Sequence, residues 1–132
     1  MALYFWIAVG SAIGGVCRFA LSGLVAHRFG EILPWGTFAV NFMGSLLIGF
    51  IACLASPDGR ILFSPTARHM LMTGILGGFT TYSSFSLQTL NLVRDGDFLK
   101  AGAYVAGTLL FCFVAVWIGH ALASSINTIN PA

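Results

Sequence analysis

One ten-residue stretch, Gly77-Gly78-Phe79-Thr80-Thr81-Tyr82-Ser83-Ser84-Phe85-Ser86, concentrates most of the groups in this sequence that could act on a small ion. Two adjacent glycines and five Ser or Thr hydroxyls weaken a helix. If the helix breaks there, freed carbonyls can hold a cation while N–H and O–H groups face an anion. If it does not, the segment is a kinked helix whose hydroxyls bond their own backbone. Tyr82 and Phe85 lie three apart and share a helical face. Aromatic rings are positive at their edges, so such a pair can cradle a partly dehydrated anion, with Ser83 and Ser84 adding donors beside it.

Further donors lie on other apolar segments. Asn41, in Trp35-Gly36-Thr37-Phe38-Ala39-Val40-Asn41, carries an amide that is costly to leave unpaired in lipid. It serves either as an interhelical hydrogen bond or as a pore donor. Tyr104, Thr108 and Cys112 repeat every four residues and line one stripe, which is either a donor track or helix packing. Arg18 sits deep in the first apolar segment, where an arginine meets a partner or a watery vestibule. The four acidic residues, Glu31, Asp58, Asp95 and Asp97, all fall in loops or at helix ends. No carboxylate is at membrane depth to carry a proton or a cation, which argues against a proton-coupled exporter of toxic cations.

These groups are positioned by elements that only a membrane permits. Of 132 residues, 58% are hydrophobic and 8% charged, against roughly 25% charged in a soluble domain. Runs from Ile32 to Pro57, from His69 to Val93 and from Ala101 to the C-terminus contain no Asp, Glu, Lys or Arg. Each can cross a bilayer, whose core of ~30 Å takes about 20 residues at ~1.5 Å each. The first segment is broken only by Arg18 and lacks the cationic start of a signal peptide. The expected fold is therefore one all-α integral membrane domain with helices at about 2–26, 36–56, 67–93 and 98–123. Turn clusters at Ser56-Pro57-Asp58-Gly59 and Asp95-Gly96-Asp97 separate them, and residues 124–132 read as a frayed polar tail.

Three functions are excluded. A net charge of +2 spread over short loops gives no nucleic-acid surface. The three cysteines lie within apolar segments and match no metal or disulfide spacing. No nucleophile and base pair suggests an enzyme.

Loop charge bears on assembly. One face carries Arg60 and Arg68, the other Arg28, Arg94 and Lys100. So small a bias permits insertion in both orientations, a precondition for an antiparallel homodimer. Small residues four apart, as at Gly10/Gly14, Ser45/Gly49, Gly74/Gly78 and Gly102/Ala106, allow close helix contact within or between chains.

Over essentially its whole length the chain resembles the small bacterial fluoride channels of the Fluc family. The match rests on Gly14-Gly15-Val16-Cys17-Arg18-Phe19, on Trp35-Gly36-Thr37 with Asn41 and Gly44, on the Gly77 to Ser86 run, and on the Tyr104/Thr108/Cys112 stripe. The resemblance implies an antiparallel dual-topology dimer that passively exports fluoride across the inner membrane. It also implies a broken third helix with a central sodium ion held by the Gly77 and Thr80 carbonyls. By the same resemblance Tyr82 and Phe85 form an aromatic box, Asn41 contacts the ion, and Ser83 and Ser84 belong to the polar track. Two positions depart from the family pattern: Tyr82 replaces phenylalanine and Gln88 replaces glutamate. Those departures raise the alternative of one subunit in a heterodimeric channel.

Overall fold

The computed structural model describes residues 1–30, 32–56, 59 and 61–129. Expectations that fell on Glu31, Pro57, Asp58, Arg60 and residues 130–132 lie outside the described residues. The chain forms α1 (Ala2–Phe29), α2 (Trp35–Leu54), α3 (Pro65–His69), a wide-turn π-helical segment (Met70–Leu76), α4 (Gly77–Phe79), α5 (Tyr82–Arg94) and α6 (Phe98–Ile129). These make four crossings, because residues 65–79 and α5 are two halves of one span broken at Thr80 and Thr81. Among the described residues, three helices, α1, α2 and α6, are long and apolar enough to cross a bilayer unbroken. The fourth crossing falls short of that test because it is split.

Local chemistry sets the boundaries. Pro65 stands in the first turn of α3, where its missing N–H is harmless, and the Ser64 side chain caps the helix by accepting from the Ala67 N–H. Gly96, at φ 81°, adopts the left-handed conformation that closes α5, and Lys100 then pairs with Asp97 at 2.8 Å on the first turn of α6. At its far end α6 runs to Ile129, past the expected limit at 123. The polar tail expected from Ser124 onward is thus helical through 129, in part because the Asn127 Nδ2 donates to the Cys53 carbonyl at 3.2 Å and ties α6 to the end of α2.

Two helix pairs build the frame. In each, glycines let backbones touch where lipid supplies no hydrophobic drive. Along α1, a Cβ on Gly10 would lie 2.7 Å from the Met70 carbonyl oxygen, and one on Gly14 would collide with the Ile75 carbonyl. Gly78 answers from the other side, its Cβ position being 2.6 Å from the Ser11 carbonyl oxygen. The second pair runs parallel in the same way, with Gly49 of α2 against the Val116 carbonyl and Gly119 of α6 against the Leu46 carbonyl. Fully buried positions are correspondingly small, as at Val40, Ala115 and Ala123. Large apolar side chains such as Phe5, Phe19, Phe113 and Trp117 point outward, as a lipid-facing surface requires.

Candidate ion path at the helix break

The break is built by hydrogen bonds as well as by weak helix propensity. Thr80 and Thr81 take extended backbone angles, φ −79° with ψ 157° and φ −150° with ψ 115°. Asn41 of α2 holds Thr81 from both sides: its Oδ1 accepts from the Thr81 N–H at 2.8 Å and its Nδ2 donates to the Thr81 carbonyl at 3.0 Å. Asn41 thus makes an interhelical bond to backbone, and it also lines the groove beside the break. The Thr81 hydroxyl then caps α5 by accepting from the Ser84 N–H at 3.2 Å. Gly44, one turn below Asn41, leaves the space that the Thr80 methyl group fills.

These bonds have a second effect. In a continuous helix the Thr81 N–H would satisfy the Gly77 carbonyl and the Ser84 N–H the Thr80 carbonyl. Asn41 takes the first donor and the Thr81 hydroxyl the second. The Gly77 and Thr80 oxygens are thereby released from their helical partners.

Two cavities meet at Thr81. A groove of about 370 Å³ is lined by Asn41, Gly77, Thr80, Tyr82, Phe85 and Thr108, among others. A larger vestibule of about 810 Å³ is lined by Arg18, Thr37, Ser84, Gln88 and Asp95 with other residues. Thr81 belongs to both walls. Arg18 makes no ion pair or hydrogen bond among the described residues and remains a free cation facing the vestibule.

The aromatic pair divides between two environments. The Tyr82 and Phe85 rings lie 5.5 Å apart, yet Phe85 is 6% exposed and Tyr82 is 76% exposed. Phe85 instead closes against Tyr104, ring centres 5.2 Å apart. Tyr104 is buried, lines neither cavity, and donates its hydroxyl to the Gln88 Oε1 at 3.1 Å. Of the serines, Ser84 lines the vestibule and Ser83, exposed, lies 3.3 Å from the Thr81 hydroxyl without lining either cavity. Thr108 is buried in the groove wall, and its hydroxyl has no hydrogen-bond partner among the described residues. Sequence reasoning missed Gly44 as the seat of Thr80 and Thr37 as a vestibule residue. The signal for Thr37 was present, since it precedes Asn41 by one helical turn.

A multi-pass helical membrane protein whose third crossing is opened at its middle, with hydrogen-bond donors gathered round the opening, belongs to the class of small ion-translocating proteins. The chain matches the family model described as CrcB-like protein, Camphor Resistance (CrcB), over residues 5–120, and it belongs to that family. It is 60% identical over 130 residues to a protein of Opitutus terrae named fluoride-specific ion channel FluC, with 98% of each chain covered. Proteins of the same name from Methylocella silvestris and Paramagnetospirillum magneticum are 50% and 49% identical, covering 98% and 96% of this chain and 98% and 99% of theirs.

Proposed function

We propose that this protein is a fluoride-selective channel and not an enzyme, passing fluoride passively across the inner membrane as an antiparallel homodimer. The observation that carries the reading is the pairing of a carboxylate-free helix break with a buried, unpartnered Thr108 hydroxyl beside it. A small, strongly hydrated anion gives up water only where fixed donors replace it. The names of the relatives supply the ion.

Arg18 raises the local anion concentration in the vestibule, and Asp95 at its outer edge limits that attraction. Beyond Thr81 the anion meets the Tyr82 and Phe85 rings and then Thr108 in the groove. Tyr82 contributes to this route through its exposed ring. A second copy, inserted the other way, would cover that ring and complete the groove, which accounts for so exposed an aromatic at membrane depth. The released Gly77 and Thr80 carbonyls suit a sodium ion, since a hard cation takes oxygen ligands and two copies would offer four. Bound there, the ion would supply positive charge that offsets the cost of bringing anions into low dielectric.

Fluoride efflux from liposomes carrying the purified protein tests the reading. Efflux well above that of empty vesicles is expected, with chloride efflux at the background. A folded dimer that leaves fluoride efflux at the level of empty vesicles would remove the channel function.

A further inference from the structure

Phe79 and Thr80, where the first half of the third crossing ends, close over a missing side chain on α2. A Cβ on Gly44 would collide with the Thr80 Cγ2 methyl and lie 3.3 Å from the Phe79 ring. Gly44 differs in this from Gly10, Gly14 and Gly49, whose Cβ positions meet main-chain atoms. Among the described residues it is the one closely packed glycine that faces side chains alone. The other branch of Thr80 is held as well, since its Oγ1 donates to the Leu76 carbonyl at 3.0 Å. The same carbonyl accepts the Thr80 N–H at 3.0 Å. Threonine has a single side-chain torsion to set its two branches, so a methyl in a notch and a bonded hydroxyl fix it together. Thr80 is therefore rigid where the helix ends: its N–H still makes a helical bond, while its ψ of 157° has left the helix.

That rigidity bears on the carbonyl of the same residue. The Thr80 oxygen is freed from its helical partner because the Thr81 hydroxyl takes the Ser84 N–H. A cation site made of main-chain oxygens has no side chain of its own to set its size, so its fit depends on what holds the backbone. We propose that the Gly44 notch and the Thr80 side chain act as socket and peg that fix the Thr80 carbonyl, which makes Gly44 a positioning residue for the sodium ion. Gly44 touches no ion and acts only through Thr80. A side chain at 44 fills the socket, tips the peg and moves the oxygen; a serine at 80 leaves the socket half empty and the oxygen loosely held. The inference rests on the reading of the Gly77 and Thr80 oxygens as sodium ligands.

Thermal unfolding of the purified full-length protein tests it, with sodium chloride titrated against N-methyl-D-glucamine chloride at constant ionic strength. A bound ion raises the unfolding temperature, and the half-maximal sodium concentration is the quantity read. Gly44→Ala should raise that concentration about ten-fold, because the added methyl overpacks the socket. Thr80→Ser, which removes only the methyl and keeps the hydroxyl and the carbonyl, should raise it about five-fold. In the double variant the alanine methyl occupies the space that the threonine methyl vacates, so the midpoint should return to within about two-fold of wild type. A glycine that served packing alone would lower the unfolding temperature at every sodium concentration and leave the midpoint in place. That result in Gly44→Ala overturns this inference alone. A double variant no nearer wild type than Thr80→Ser overturns it too, which decides the matter if Gly44→Ala alone fails to fold. A wild type whose unfolding ignores sodium would overturn the sodium reading, and this inference with it.

Discussion

Residues 65–79 and residues 82–94 belong to one membrane crossing, yet they are held by different means. The first half lies against α1 backbone to backbone, through Gly10, Gly14 and Gly78. The second half is held by directed polar bonds and a small apolar cluster: Asn41 at its start, Gln88 to the Tyr104 hydroxyl, and Phe85 and Leu92 packed with Ala101 and Tyr104. Tyr82, Leu87 and Leu90 on that half stay exposed. A sealed half gives a fixed edge, and a half tied by a few directed bonds presents the groups an ion would meet. Interrupting the span lets one chain segment do both.

The sharpest way to break this contrast is to open the seal. Gly14→Val places a branched side chain where the Ile75 carbonyl already lies, and backbone cannot yield as a side-chain tip can. We expect a loss of at least ~3 kcal/mol and little folded protein. Thermal unfolding in detergent would check it. The neighbouring Gly15→Ala is the control, because nothing lies within 4 Å of that Cβ position.

Next in size is the clamp on the second half. Asn41→Ala removes two bonds and leaves the buried Thr81 N–H and carbonyl unsatisfied, a cost of about 2–4 kcal/mol. Asn41→Asp keeps an acceptor for the N–H but sets a carboxylate facing the Thr81 carbonyl and beside the anion path. Its fluoride efflux should fall about a hundred-fold or more even where the dimer survives. Efflux close to wild type in Asn41→Asp would show that the break does not depend on this amide.

How much of this contrast the residues announce differs along the chain. Four crossings follow from the apolar runs, and the break at Thr80 and Thr81 follows from adjacent glycines and hydroxyls. The partner of Asn41 does not follow, because a clamp forty residues away has no local periodicity. Nor does the wide-turned Met70–Leu76 segment, whose composition suits an ordinary helix. The three-residue spacing put Tyr82 and Phe85 on one face correctly but says nothing of which ring is covered. Small-residue spacing likewise picked out Gly10/Gly14 and Gly102/Ala106 alike, though only the first touches backbone within the chain.

A smaller effect is expected at Phe85, whose ring joins the exposed Tyr82 to the buried Tyr104. Phe85→Ile keeps an apolar volume in the core and removes the ring edge. Stability should drop by about 1–2 kcal/mol while fluoride efflux falls about ten-fold with the dimer intact. Unchanged efflux would return Phe85 to the core and take it out of the ion path.

The smallest change belongs on α6 at Gly102, which resembles the sealing glycines in spacing and differs from them in surroundings. It is exposed, and nothing lies within 4 Å of its Cβ position. Gly102→Ala also improves helix propensity in mid-helix, so folding should shift by no more than ~1 kcal/mol, in the stabilising direction. Thermal unfolding and size-exclusion elution check this together. A variant that folds normally but elutes as a monomer would place a second copy of the chain against Gly102 and assign the sealing role to a contact between chains, extending to the dimer what Gly14 does within one.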